Sequence, residues 1–133
     1  MTTIDITPET FDETVRSEGI TLIDFWASWC GPCLQFAPVY AEASERHPEV
    51  TFAKLDTQAH NAFSGALEIR SIPTVWAFRD GILLFQQPGV LPGGALDQLI
   101  DAIEKLDMAE IRREIADREA NAADDSSGEP AAQ

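Results

Sequence analysis

The feature that most constrains the fold is an apolar run at residues 20–27, ITLIDFWA, which leads directly to the chain's two cysteines. A near-continuous apolar run of this length is typical of a strand that is covered on both faces. After the cysteines, residues 33–47 carry apolar side chains at helical spacing, and Pro38 is expected to kink that helix. The sequence therefore places Cys30 and Cys33 where a buried strand gives way to a helix.

Strand and helix signals alternate throughout residues 1–106, in the predicted order βαβαβαββα. Thr7 is expected to cap the first helix, with Pro8 at its first position. Helices between the early strands imply parallel neighbours joined by right-handed crossovers, whereas Asp80-Gly81 predicts a hairpin between the last two strands. These patterns predict an α/β fold, with a mixed sheet and helices on both faces.

The charge balance and the N-terminus limit the class of protein. The 133 residues carry 9 Lys and Arg against 23 Asp and Glu, a net charge of −14, which disfavours nucleic acid and anionic membranes as partners. The first residues, MTTIDITPETFDE, have neither the basic region nor the apolar segment of a secretory signal, and no stretch is long enough to span a membrane. We therefore expect a cytoplasmic protein in which the cysteines are not a disulfide framework.

A pair of cysteines at this spacing can bind a metal, attach haem, form a structural disulfide or act as a redox pair. A closed zinc site needs four ligands, and the only histidines, His47 and His60, are too far apart for a zinc finger, so no metal is expected. Haem attachment would need a histidine after the second cysteine, where Leu34 stands. A structural disulfide would close a very small loop and stabilise the fold only weakly.

Dithiol redox chemistry has a physical basis in the predicted position of Cys30. A helix N-terminus favours an anion, and the thiolate is the species that attacks a disulfide. Cys33 lies one turn further along, close enough to attack a mixed disulfide on Cys30. Gly31 and Pro32 allow a tight start to the helix, because the first turn does not use the N–H that proline lacks. The spacing therefore predicts a redox-active pair.

These residues resemble the thioredoxin family. The string WCGPC follows IDFWAS, and SIPT and FRDG come about forty residues later, so that the resemblance covers about residues 3–106. It implies a four- or five-stranded mixed sheet flanked by four helices, and reduction of protein disulfides by Cys30 as attacking thiol and Cys33 as resolving thiol. It further implies no bound cofactor, with electrons arriving from NADPH through a thioredoxin reductase. The expected partners are that reductase and disulfide-containing proteins, and we expect a monomer.

The resemblance also gives a role to an acid in the apolar run. Asp24 matches a family acid that is buried behind the resolving cysteine, and its apolar neighbours argue against the alternative of a solvent-facing carboxylate. Burial raises the pKa of such a group, which can then accept a proton from Cys33. Lys54, in FAKLD, matches a family lysine near this acid; the alternative is an ordinary exposed strand lysine.

A second set of residues matches the family's substrate-binding surface. Pro73, in SIPT, matches a cis-proline, and the residue before it pairs its backbone with an incoming peptide, which is recognition by strand addition. Trp29 is expected on the surface, in an apolar docking patch. The predicted substrate-binding residues are Trp29, Gly31, Pro32, Ile72, Pro73, Gly89 and Val90.

The other two tryptophans are expected to be packed inside the domain. Trp26 is expected in the core or supporting the cysteine loop, and Trp76 in the core of the fourth strand.

Leu34 stands where many family members carry a basic residue, and Ser71 replaces a glycine often found before the cis-proline. An apolar residue beside the thiols leaves the choice of partner open.

The C-terminal region differs from the predicted domain at residues 1–106. Residues 107–120 are expected to form a helical extension, with Met108, Ile111 and Ile115 at helical spacing. Residues 121–133 have no large apolar side chain, which predicts a disordered acidic tail. The extension is either a solubilising segment or a docking segment. A thioredoxin-like binding module or holdase, which binds partners through the tail and the apolar surface, is the alternative to a disulfide reductase.

Overall fold

The computed structural model describes residues 3–128. Their secondary structure confirms the predicted order βαβαβαββα, and a further helix follows in the region where the sequence predicts a helical extension. The elements are β1 (Thr3–Asp5), α1 (Pro8–Arg16), β2 (Ile20–Trp26), α2 (Gly31–Arg46), β3 (Thr51–Asp56), α3 (Asn61–Ala66), β4 (Thr74–Arg79), β5 (Ile82–Pro88), α4 (Gly93–Glu104) and α5 (Met108–Gly128).

The strands form one five-stranded sheet in the order β1-β3-β2-β4-β5. β3 lies parallel to both β1 and β2, whereas β4 is antiparallel to β2 and to β5, so the predicted mixed sheet is confirmed. β2 is the central strand, and all of its residues except Trp26 are buried. This position explains the apolar run, because a central strand with helices on both faces has no solvent-facing side.

Helices cover both faces of the sheet. On one face, buried side chains of α2 and α4 pack against β2, β3 and β4; this layer includes Leu22, Phe36, Tyr40, Phe52 and Leu96. On the other face, α1 and α3 pack against Ile23 and Phe25 of β2. Neighbouring residues of β2 therefore point to opposite faces, as the two-residue repeat of a strand requires.

The local signals for helix starts and turns are confirmed. Thr7 is the N-cap of α1 and Pro8 its first residue; the backbone N–H of Thr7 donates to Oγ1 of Thr10 at 2.9 Å. Asp80 and Gly81 form the turn between β4 and β5 with φ angles of 53° and 84°. Positive φ at both central residues is the conformation that Asp-Gly favours in tight hairpins.

A polar cluster joins the C-terminal end of α2 to α4. Asp97 accepts hydrogen bonds from Arg46 at 3.2 Å and pairs with Nε2 of His47 at 2.7 Å. The hydrogen bond with His47, together with Arg46, lowers the pKa of Asp97 below its ordinary value. The cluster holds α2, the helix that carries Cys33, against its neighbour on the same face of the sheet.

The C-terminal extension begins with a packed turn. Met108 is buried, and Nη2 of Arg112 lies 3.2 Å from a carboxylate oxygen of Asp80 in the β4–β5 turn. The α5 backbone continues through Gly128, past residue 120, where the sequence predicts a disordered tail to begin. A helix can continue without a core of its own where its residues have good helix propensity, as Ala does. Residues 129–133 of the predicted tail lie outside the described part of the chain.

None of the helices within residues 3–128 combines the length and the apolar character that crossing a membrane requires.

Candidate active site

The two cysteines lie at the predicted junction of strand and helix. β2 ends at Trp26, and Cys30 is the N-cap of α2. Cys30 and Cys33 form a disulfide across the first turn of the helix, with their Cα atoms 5.2 Å apart. Gly31 and Pro32, the first two helical residues, are exposed at the surface. The structure thus brings together the four residues of the CGPC motif as the sequence predicts.

The environment of Cys30 favours negative charge on its sulfur. Its Sγ accepts a hydrogen bond from the backbone N–H of Cys33 at 3.2 Å, which is one of the free donors of the helix N-terminus. Such donors and the helix dipole stabilise a thiolate at this position. Cys30 is only 4% exposed, whereas the adjacent Trp29 is 69% exposed.

A loop before β4 lies against the disulfide. The Ile72–Pro73 peptide bond is cis, as the sequence predicts. The carbonyl oxygen of Ile72 is 3.7 Å from Sγ of Cys30. Within residues 3–128, neither the N–H nor the carbonyl of Ile72 forms a backbone hydrogen bond. Because the N–H has no partner and the carbonyl has only its long contact with Sγ of Cys30, both groups are available to an extended peptide chain.

Gly89 and Val90 lie beside the same loop. The N–H of Gly89 donates to the carbonyl of Pro73 at 2.8 Å. Gly89 has a φ of 97°, a conformation that residues with a Cβ rarely adopt, which accounts for glycine at this position. The exposed side chains of Trp29, Leu34 and Val90 give the surface around the cysteines an apolar character.

Asp24 is completely buried in the middle of β2. In the sheet register it lies between Lys54 on β3 and Val75 on β4, and neither carboxylate oxygen has a hydrogen-bond partner among the described residues. Loss of solvent raises the pKa of Asp24 to about 7, although the positive charge of Lys54 partly lowers it. The predicted burial is confirmed, and the solvent-facing alternative is wrong.

Lys54 and Trp26 lie together next to this acid. Nζ of Lys54 is 4.6 Å from the centre of the Trp26 ring, within the range of a cation–π interaction. Trp26 also packs against the cluster of Ala27, Cys30 and Cys33, so it supports the cysteine loop as predicted. Trp76 is part of the apolar core on the opposite face of the sheet, which confirms its predicted place.

The histidines lie away from the cysteines. His47 follows the 16 residues of α2 and pairs with Asp97, whereas His60 precedes α3. Among the described residues, no group of three or more His, Cys, Asp or Glu side chains is placed to hold a metal ion.

One part of the site has no counterpart in the sequence predictions. A pocket of about 410 Å³ opens beside Trp29 and Ile72, between the cysteine loop and α3. Its walls include Gln58, Asn61 and Arg70. These residues carry no motif, and only the close approach of three separate segments makes them neighbours, so no local pattern could have indicated the pocket.

Exchange between a dithiol and a disulfide is the chemistry that this fold and cysteine pair support, and the protein is therefore a thiol–disulfide oxidoreductase. The family profile described as Thioredoxin matches residues 2–105. The chain belongs to the thioredoxin family and is a protein-disulfide reductase of the thioredoxin type.

Individual relatives agree with this assignment. The protein called "Putative thioredoxin 2" of Streptomyces coelicolor is 47% identical over 120 residues, which cover 90% of each chain. A thioredoxin of Staphylococcus haemolyticus is 36% identical over 102 residues, covering 76% of this chain and 97% of its own. Among solved structures, a mutant thioredoxin from Halobacterium salinarum superposes with a TM-score of 0.72 at 28% identity, covering 78% of this chain and 92% of the other.

Proposed function

We propose that Cys30 is the attacking thiol and Cys33 the resolving thiol in the reduction of protein disulfides. The Cys30 thiolate attacks one sulfur of the substrate and forms a mixed disulfide, releasing the other sulfur as a thiolate. Cys33 then attacks Cys30, forms the intramolecular disulfide and releases the second substrate sulfur. Two electrons and two protons pass from the protein dithiol to the substrate. The observation that carries these roles is the hydrogen bond from the N–H of Cys33 to Sγ of Cys30, at the start of α2.

Asp24 is the proposed proton acceptor for Cys33. A buried carboxyl group with a pKa of about 7 exchanges protons readily near neutral pH, which suits a general base. Lys54, opposite Asp24 in the sheet register, is the proposed positioning residue that keeps this pKa from rising further. Leu22 and Phe52, two residues before them on the same strands, belong to the core that α2 covers, so by strand alternation both residues lie on that face.

Substrate binding is proposed to combine strand addition with apolar contacts. The unpaired backbone of Ile72, next to Pro73, would hydrogen-bond an extended peptide without reading its side chains. Trp29 and Val90 provide exposed apolar surface, and Gly31, Pro32 and Gly89 leave space for the peptide backbone. A thioredoxin reductase, supplied by NADPH, would recycle the oxidised protein in the cytoplasm without any cofactor bound to this chain.

The proposed roles of the cysteines are tested by single substitutions in an insulin-reduction assay. Cys30→Ser should abolish reduction and should not form a mixed disulfide. Cys33→Ser should also lose turnover, but it should accumulate a covalent complex with a disulfide substrate, which non-reducing electrophoresis detects. A trapped complex with Cys30→Ser and none with Cys33→Ser would show that the roles are reversed. Full reduction by Cys30→Ser would contradict the mechanism altogether.

A further inference from the structure

The pocket beside Trp29 and Ile72 is continuous with the redox site. Ile72 contributes to its wall, and the carbonyl of the same residue lies 3.7 Å from Sγ of Cys30. A chain that pairs with the backbone of Ile72 would place the neighbours of its reacting cysteine next to the pocket. Because a strand rises about 3.3 Å per residue, side chains within two positions of that cysteine can reach the opening.

The charge of the pocket is unusual for this protein. The chain has 23 acidic residues against 9 basic ones, yet none of the described residues that line the pocket is acidic. Arg70 is the cation among them, and it forms no ion pair among residues 3–122, whose side chains the structure describes. Arg70 is exposed at the opening of the pocket, and an unpaired guanidinium there is suited to a carboxylate, which it can bind with two parallel hydrogen bonds.

Asp56 and Glu68 each directly precede a residue of the pocket in the sequence, and neither of them lines it. Glu68 and Arg70 together line a second pocket, without an ion pair between them. Oδ1 of Asp56 accepts hydrogen bonds from the backbone N–H groups of Gln58 and Ala59, at 2.9 and 3.1 Å. The carboxylate is therefore engaged by the turn after β3, and Asp56 is not among the residues that line the pocket.

The remaining polar groups of the pocket are neutral, and several can donate hydrogen bonds. Ser64 is 4% exposed, and its buried hydroxyl has no hydrogen-bond partner among the described residues. Because that oxygen is inaccessible, it is not one of the groups that a ligand in the pocket could reach. The side-chain amides of Gln58 and Asn61 lie on the same wall and provide further donors.

We propose that this pocket binds the carboxylate side chain of an Asp or Glu close to the reacting cysteine of the substrate. The protein would then select among disulfides by an acidic residue near the bond that it reduces, with Arg70 as the residue that determines this preference. This inference rests on the proposed attack by Cys30 and adds a substrate class to it.

The test uses symmetrical dimers of a short peptide that contains one cysteine, so that both sulfurs of the disulfide have the same neighbours. Glu is placed in turn at each position from two before to two after the cysteine, and each dimer is matched with its Gln counterpart. One reduced protein and one peptide dimer give one oxidised protein and two peptide thiols. The measured quantity is the second-order rate constant, followed by tryptophan fluorescence at high and low ionic strength.

The wild-type protein should reduce the Glu dimer about three to five times faster than the Gln dimer at one of these positions, the range expected for a partly solvated ion pair. In Arg70→Gln this ratio should fall to one or below, and Arg70→Lys should keep part of it. Arg113→Gln is the matched control: it makes the same change in charge on an exposed residue of α5 that also lacks an ion pair in the described region, and it should keep the wild-type ratio.

The outcomes separate the two proposals. Equal rates for the Glu and Gln dimers at every position, or the same ratio in the wild type and in Arg70→Gln, would overturn the carboxylate pocket alone. An equal loss of the ratio in Arg113→Gln would also overturn it, because net charge would then explain the preference. If the reduced wild-type protein reacted with neither dimer, the attack by Cys30 would be contradicted, and the pocket with it.

Discussion

At the scale of single residues, Asp24, the proposed proton acceptor, lowers the stability of the folded protein when it ionises. Its folded-state pKa of about 7 lies above its ordinary value of 3.8, so the folded protein holds a proton that the unfolded chain releases between these two pH values. The contribution of Asp24 to stability is therefore most favourable below about pH 4, falls as the pH rises to about 7, and changes little beyond that. A shift of this size corresponds to roughly 4 kcal/mol of lost stability at pH 8.

The Asp24→Asn variant should remove this pH dependence. Because Asn does not ionise, the variant should gain up to about 4 kcal/mol relative to the wild type between pH 4 and pH 8. Urea unfolding of the oxidised proteins at several pH values measures the difference. The quantity compared is the change in the free energy of unfolding with pH, so any pH-independent effect of the amide group cancels. Parallel pH profiles of the two proteins would contradict the raised pKa of Asp24.

Lys54 provides the matched control for the electrostatic argument. Its positive charge lowers the pKa of Asp24, so Lys54→Gln should raise that pKa further. The variant should therefore be less stable than the wild type at every pH where Asp24 is ionised. The same substitution in the Asp24→Asn background should have little effect. The two residues act through one interaction, and a double-mutant cycle detects that coupling.

The sequence indicates some of these residues and not others, for physical reasons. Asp24 stands within an apolar run, so its burial follows from its neighbours, and the glycine and proline between the cysteines indicate the helix start. Arg70 gives no such signal. A surface arginine has the same appearance in a sequence whether it faces solvent or a pocket, and its position depends on how α3 and the cysteine loop pack.

At the scale of secondary-structure elements, the hydrophobic repeats predict which segments are strands and helices, but not how the helix ends are completed. α4 ends at Glu104, and its last carbonyl groups need donors. Nη1 of Arg79, at the end of β4, donates to the carbonyl of Ile103 at 2.8 Å and lies 3.3 Å from those of Glu104 and Leu106. This contact joins a strand to a helix 24 residues away, which no local pattern indicates.

Arg79→Met should destabilise the protein by about 1–2 kcal/mol, because a charged donor to several carbonyl groups is lost. Urea unfolding at pH 7 measures the change. Arg79→Lys, which keeps the charge but not the planar set of donors, should lose less. If Lys and Met had equal effects, side-chain packing rather than the carbonyl contacts would explain the loss.

At the scale of the whole molecule, the two ends of β2 have separate functions. Its C-terminal end leads to the cysteines, whereas its first residue, Ile20, pairs with Arg79 at the end that carries the β4–β5 turn. The seven residues of β2 span about 20 Å at the usual rise per residue. The contact between Arg112 and Asp80 therefore attaches the start of α5 to the end of the sheet that is remote from the disulfide.

This geometry gives a prediction for the C-terminal extension. Removal of residues 107–133 should expose the surface that Met108 covers and remove the ion pair of Arg112, at a cost of about 1–3 kcal/mol in stability. The rate of insulin reduction at a temperature where both forms are folded should stay within about twofold of the full chain, because the packed part of α5 lies far from Cys30.

The matched control for the truncation is Arg112→Gln in the full-length chain. It breaks the contact with Asp80 but keeps the burial of Met108. The variant should therefore lose only the contribution of this ion pair to the free energy of unfolding, which is under about 1 kcal/mol. A large fall in the reduction rate after truncation, with stability unchanged, would instead support the alternative in which the extension docks partner proteins. The two readouts therefore distinguish a segment that completes the fold from one that recruits a substrate.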